Sequence, residues 1–584
     1  MRPAHAFPWI LLMFSAALRG QDPSPLEIAQ PLDGPISITA LEFEQTQFAP
    51  IGVTRKGTEI PAWVGEPLSL KNHRPRIVLV GGLDRSSQST LAVIRALSWW
   101  DSDQSEPYRQ KFDLSAVSAV YPGSFDQPPA AASFPPAGTA YSDAKNPEAI
   151  YLWRWLGMAG ADWVVDVRHG QNAWKLAKFQ HPKRDALQQE LSAQDADEGS
   201  LASALAKHAA CETGTIPAAQ VETSADGGFL KTLLDALQKT GFQGPSPSRQ
   251  TLQKRLSRSP LEAAQQLSKH YGHDLNQVAY IPALALVARL QLGELTDDPK
   301  HQKDVERIVK PYFDGQKNPL PKSGSTLSGR LVFTELARRS QGQKRERYLQ
   351  LAHTAADLGL GEDGAAKRNM PFHNEMSDAL FMGGPILAEV GQLTGREAYF
   401  DACSHHFRFM QKRVLRKDGL YRHSPLDEAA WGRGNGFPAL GLALALTAWP
   451  QDRPDREVWR KAFQSHLQAL KKHQSPSGAW RQVIDRGAYR EFTCTCMITF
   501  AMMRGVRMGW LKAEDYEPAI EKAWAAILMR TARDGRLVDV CTGTGKQKNL
   551  RAYYDRKAIL GKDARGGAMA LLAAVERAKY EARK

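Results

Sequence analysis

From about residue 246 to the C-terminus, apolar residues recur at helical spacing in one stretch after another, with few strand signals between them. Eleven stretches carry this period: 261–272, 279–292, 327–339, 348–358, 378–393, 398–414, 438–447, 458–473, 496–508, 517–531 and 566–577. They come in pairs separated by Gly/Pro/Asp loops, and polar or aromatic residues gather in alternate connections. Pairing at that density predicts an all-α toroid of helical hairpins, with a site at the mouth formed by those loops. An extended solenoid is the competing arrangement, and no fixed-period self-similarity supports it.

The preceding part of the chain is built differently. RIVLV (Arg76–Val80) ends in Gly81-Gly82 and leads into a helical stretch at 89–100, and WVVDV (163–167) follows one at 147–157. Strands alternating with helices at these lengths predict an α/β domain with a largely parallel sheet, spanning about 35–235. Pro and Gly gather at 122–138, as in a surface or active-site loop, and GPSPS (244–248) reads as a linker. The expected fold class is multidomain: an N-terminal α/β domain followed by an all-α toroid over 246–584.

Charge and targeting bear on partners. Lys and Arg number 76 against 62 Asp and Glu, a net charge of +14, which favours an acidic partner. Residues 1–20 carry Arg2 and His5 before an apolar run and then small residues, the pattern of a signal peptide cut between 17 and 21. The run of about 12 residues is shorter than the ~20 needed to span a bilayer, and no later stretch comes near that length. A secreted or periplasmic protein without a membrane span is expected. Export disfavours nucleic acid and favours an acidic polysaccharide. Five cysteines are too few for a disulfide scaffold in a chain of 584 residues.

The most informative stretch is NEMSDALFMGGP (374–385). Asp378 sits where a polar loop enters an apolar helix, and taken alone it reads as a capping residue, since a helix N-terminus favours a carboxylate. Then follow, in order, GLYRH (419–423), WGRGNGF (431–437), GAWRQV (478–483), EFTCT (491–495), CTGTG (541–545) and DARGG (563–567). Together these motifs resemble the unsaturated glucuronyl and rhamnogalacturonyl hydrolases of glycoside hydrolase families 88 and 105. The resemblance covers 246–584 and implies an (α/α)6 toroid.

By the same resemblance Asp378 is the general acid/base, His423 binds substrate, and Trp431 and Arg433 hold the unsaturated sugar. Such enzymes hydrate the C4=C5 enol ether of a 4-deoxy uronate left by polysaccharide lyases. An acid protonates C4, water adds at C5, and the hemiketal opens to release the aglycone, so one carboxylate can serve as acid and then base. An Arg suits a uronate carboxylate and a Trp suits a sugar face. The family's second functional Asp falls near 322–328 (KSGSTLS), which holds no carboxylate; Asp274, Asp357, Glu375 and Glu491 are the candidates to face Asp378 instead. Phe437 replaces the usual Trp and Arg565 a usual His.

In the N-terminal part, 51–63, IVLVGGLDRSSQST, FPPAGTAY, NPEA and VVDVRHG resemble the zinc carboxypeptidases. The positions that bind zinc in that family hold Asp84, Ser87 and Arg168, with His169 one place out of register. Zinc needs three N, S or O ligands, and neither a Ser hydroxyl nor a guanidinium serves. A carboxypeptidase-like domain without zinc is expected, and no metal or cofactor elsewhere. His405 and His406 read as partly exposed structural histidines. The leading expectation is an exported glycoside hydrolase that releases a terminal unsaturated uronic acid from an acidic unsaturated oligosaccharide. The alternative is a non-catalytic acidic-glycan-binding protein built from degenerate enzyme folds.

Overall fold

The computed structural model describes residues 48–124, 133–137, 146–318 and 320–583. The signal-peptide segment and most of the 122–138 loop lie outside the described residues.

The N-terminal part contains β1 (Gly52–Val53), β2 (Glu59–Ile60), β3 (Ala62–Trp63), β4 (Arg76–Val80), β5 (Asp113–Val117), β6 (Trp163–His169), β7 (Ala173–Leu176), β8 (Gln194–Asp195) and β9 (Ala218–Thr223). Strands β3 to β9 form one sheet in the order β3-β5-β4-β6-β9-β7-β8. Its centre, β5-β4-β6-β9, is parallel as expected. Towards the edges it is not: β3 and β7 pair antiparallel with β5 and β9. The difference follows from burial. Central parallel strands are covered on both faces and read as unbroken apolar runs, whereas AWKL (β7), next to the edge strand β8, is half-exposed and carries no such signature. The principal helices of this sheet are α1 (Ser87–Asp101), α2 (Pro147–Met158) and α3 (Phe229–Thr240).

GPSPS is no loose linker. The Ser246 hydroxyl caps the helix Pro247–Leu256 by accepting the Arg249 N–H, and the Ser246 N–H donates to Asp162 at 2.8 Å. Asp162 also accepts the Arg76 N–H and pairs with Arg249, both partners being 3% exposed or less. A composition that reads as flexible is pinned here by a buried carboxylate from the sheet.

Twelve helices of the C-terminal part make the toroid: α4 (Pro260–Ser268), α5 (Tyr280–Thr296), α6 (Pro299–Phe313), α7 (Leu331–Arg338), α8 (Gly342–Ala356), α9 (Ala379–Thr394), α10 (Glu397–Val414), α11 (Gly432–Ala448), α12 (Arg456–Lys472), α13 (Phe492–Arg507), α14 (Ala513–Met529) and α15 (Ala564–Glu581). Helices α5, α7, α9, α11, α13 and α15 pack each on the next, and α15 returns to α5, closing an inner ring. The other six lie outside it. The inner helices are buried nearly all round, as α9 and α11 illustrate, while outer α6 buries only Val305, Val309 and Tyr312. That sparse stripe is why α6 escaped the periodicity. An antiparallel hairpin, β10 (Leu537–Cys541) and β11 (Ala558–Gly561), is inserted before α15. No described helix is long and apolar enough to cross a membrane.

Candidate active site

The N-termini of the inner helices open at one end of the ring. There the loop before α9 turns sharply, with Phe372, Asn374 and Glu375 at φ of 60°, 47° and 53°. Non-glycine residues in that region are strained and need neighbours to hold them. His406 on α10 supplies part of the hold. It accepts the Met370 N–H at Nδ1 (3.3 Å), and its Nε2 faces the Ala379 carbonyl at 2.8 Å. His406 is fully buried, not partly exposed as expected; only His405 faces solvent.

Asp378 begins α9 but caps nothing, since its side chain accepts no backbone N–H. Its carboxylate turns across the mouth, with Oδ1 3.4 Å from His423 Nε2. His423 lies in the loop that enters α11 and has no exposed surface. Its Nδ1 is 3.0 Å from the Tyr553 hydroxyl, whose oxygen receives the Gln547 N–H at 3.4 Å.

Trp431 lies 4.3 Å from the His423 ring, centroid to centroid. Gly434, one turn into α11, lets this arrangement close: a Cβ there would meet Ser377 Oγ at 2.8 Å. Ser377 Oγ, Asp378 Oδ1, His423 Nε2 and Trp431 Nε1 are all buried without a hydrogen-bond partner. Native interiors rarely leave such atoms unsatisfied, and four of them gathered at one mouth make it the candidate site. Phe437 stacks on Phe381 at 5.4 Å beneath the mouth, with the Tyr280 ring edge-on to both.

Arg433 is not free to meet a substrate. It is 2% exposed and donates to the carbonyls of Cys541 and Thr542, both at 2.7 Å, while its guanidinium packs 4.7 Å from the Trp431 ring centre. A buried fork on two carbonyls braces the β10 end behind Trp431, which is itself 1% exposed. Arg565, in the first turn of α15, keeps its side chain 17% exposed and lies 3.6 Å from the Asp563 carboxylate. It reaches the Tyr280 hydroxyl and the Cys541 carbonyl.

The four carboxylates considered as partners for Asp378 have other places. Glu491 is buried and accepts the N–H groups of Thr493, Cys494 and Cys541 and the Thr493 hydroxyl, capping α13. Asp357 bonds Tyr399 and His353, Glu375 pairs with Arg413, and Asp274 is exposed. Residues 323–328 pack beside α9, with the Ser328 hydroxyl on Met382 Sδ. A carboxylate not anticipated, Asp427, shares the surroundings of Tyr553 with Asp378. Tyr280 starts α5, Tyr553 lies in the short helix Leu550–Tyr554 and Asp427 in the loop before α11, and none carried a sequence signal beyond being polar or aromatic.

At the C-terminal ends of the parallel strands, Asp84 accepts the backbone N–H of His169 at 2.8 Å and the Ser89 hydroxyl at 2.6 Å. Ser87 opens α1, and Arg168 lies on the buried Asp166. Among the described residues no group of three His, Cys, Asp or Glu is close enough to hold a metal ion.

The sequence profile described as Glycosyl Hydrolase Family 88 matches residues 254–581. An unsaturated rhamnogalacturonyl hydrolase of Bacillus subtilis is 30% identical over 187 residues, covering 30% of this chain and 52% of that protein. An unsaturated 3S-rhamnoglycuronyl hydrolase of Formosa agariphila is 29% identical over 182 residues, 27% of this chain and 48% of that protein. The chain thus spans about half the length of these curated relatives. A crystal structure described as a possible member of the GH105 family from Salmonella enterica covers 55% of this chain and 95% of that one, at 20% identity and a TM-score of 0.48. Since the family profile covers more than half of its length, the chain belongs to glycosyl hydrolase family 88.

Proposed function

We propose that the protein hydrolyses oligosaccharides ending in a Δ4,5-unsaturated uronic acid, by hydrating the double bond and releasing the sugar. The observation that carries this reading is Asp378: a carboxylate at an inner-helix N-terminus whose buried Oδ1 faces His423 Nε2 at 3.4 Å and is otherwise unsatisfied. Asp378 gives its proton to C4, the C5 cation is captured by water, and the same carboxylate takes the water's proton. The hemiketal at C5 then opens and the aglycone leaves. His423 holds Asp378 in place, and the buried Ser377 and Trp431 close the wall behind this pair. For the substrate carboxylate we assign Arg565, with the N-termini of the inner helices adding a favourable field for an anion. Asp427 is a candidate for the second acidic group. The N-terminal sheet is read as a carboxypeptidase-like domain that works without zinc, and the protein as secreted or periplasmic.

The test is to add the protein to unsaturated uronyl disaccharides and follow the ultraviolet absorbance of the enol ether. Absorbance should fall with the wild type. With Asp378→Asn the rate should drop ~10²-fold or more, with the fold kept. Cleavage of saturated uronides while unsaturated ones are ignored would refute the mechanism. Binding of the sugar without turnover would favour the glycan-binding alternative.

A further inference from the structure

The N-terminal domain stands against the mouth of the toroid, not its back. One continuous apolar cluster joins Ile51, Ile60, Tyr151 and Leu152 of the first domain to Trp431, Tyr489, Tyr553 and Ala558 of the second. Polar contacts follow the same seam. Glu59 accepts the Gly487 N–H, and Arg551 donates to the carbonyls of Thr54 and Arg55. At its centre is Arg154 on α2, 4% exposed. Its guanidinium pairs with Asp539 of β10 and donates to the Ala558 carbonyl of β11 at 3.1 and 3.2 Å. Asp539 sits at a bulge with φ +64°, which turns its carboxylate out of the ladder and onto Arg154.

These two anchor points are the stems of one loop, residues 542–557. That loop carries Tyr553, which contacts His423, and the carbonyls that receive Arg433 belong to its first residue, Thr542, and to Cys541 at the end of β10. A two-stranded hairpin has little stability of its own. We propose that the N-terminal domain serves as the outer wall of the active-site mouth, with Arg154 as the positioning residue that fixes the β10–β11 stems and through them Tyr553 and His423. The catalytic half of this inference rests on the hydrolase reading above; the clamp itself does not.

Hydrogen exchange and kinetics on the full chain test the two halves separately. In Arg154→Lys the single ammonium cannot reach both Asp539 and the Ala558 carbonyl. Peptides covering 537–561 should exchange about tenfold faster, while α7 and α8, across the ring, keep their protection. In the same preparation kcat should fall about tenfold on unsaturated disaccharides with little change in KM. Tyr553→Phe should lower kcat similarly without speeding exchange in the strands 537–541 and 558–561, since its hydroxyl holds only the Gln547 N–H of the loop, and the double variant should be no worse than the poorer single one. If Arg154→Lys does not fold, Asp539→Asn is read in the same way. Unchanged exchange at 537–561, an increase spread evenly over the toroid, or additive losses in the double variant would each overturn the proposal. Should the wild type not act on unsaturated uronides, the exchange result still decides the clamp, and only the functional reading falls.

Discussion

Asp378 and Arg433 show how a charged residue at a helix start can meet either of two fates. Each belongs to a motif at the N-terminus of an inner helix, yet Asp378 keeps an unsatisfied oxygen in the mouth while Arg433 satisfies two backbone carbonyls behind it. Arg433 should therefore behave as a brace. In Arg433→Lys a point charge replaces a planar fork and cannot bridge the carbonyls of Cys541 and Thr542. Stability should fall by roughly 2–4 kcal/mol, with the loss visible in thermal unfolding before any ligand is added. If the variant melts like the wild type and loses only affinity for an anionic sugar, the brace is wrong and Arg433 meets substrate directly. Five buried, free cysteines complete this picture of an interior with no cross-links.

At the scale of elements, the strained loop before α9 is held in part by one buried ring. Met370 donates to His406 Nδ1, so that nitrogen must stay unprotonated for the contact to survive. Burial, the main cause, holds His406 at about 4, well below an ordinary imidazole at 6.5. The unfolded chain thus takes up a proton near 6.5 and the folded one only near 4. Stability attached to this residue is present above 6.5 and is lost as pH falls from 6.5 towards 4, by up to about 3 kcal/mol in all. His406→Gln should flatten that part of the stability-against-pH curve, measured as the melting temperature between pH 4 and 7. A wild-type curve that is already flat there would sink the idea.

For the whole molecule, the two folds are joined by buried charge as well as by apolar surface. Asp162 ties the sheet to the start of the helical part through Arg76, Ser246 and Arg249. Asp162→Ala leaves the Arg249 guanidinium buried beside orphaned N–H groups, which costs about 3–5 kcal/mol. Protease cleavage near 241–250 should then appear at concentrations that leave the wild type intact. Identical cleavage patterns would mean that the junction is held by the apolar seam alone. The toroid has its own charged triad where the ring nears closure: Arg504 and Arg507 of α13 meet the buried Glu576 of α15.

Local rules wrote much of this protein in plain view. Helical period, paired hairpins, the strands RIVLV and WVVDV, and Asp378 at a helix start could all be read from residues within a turn or two of one another. The ordered motifs added the family, because they mark where inner helices begin. What could not be read was whatever depends on partners distant in the chain. Arg433 looked like a ligand-binding cation until its acceptors were found 108 and 109 residues later. Tyr553 lies 130 residues from the histidine it contacts, and Asp539 lies 385 from Arg154. GPSPS has the composition of a linker, and only a carboxylate 84 residues earlier makes it a rigid joint. The sequence by itself determined which helices form and which motifs they begin with, since periodicity and capping act over a few residues. Ring closure, the inward turn of Arg433 and the docking of the first domain on the mouth were decided by the tertiary structure, where burial and hydrogen-bond satisfaction select among partners that no local pattern specifies.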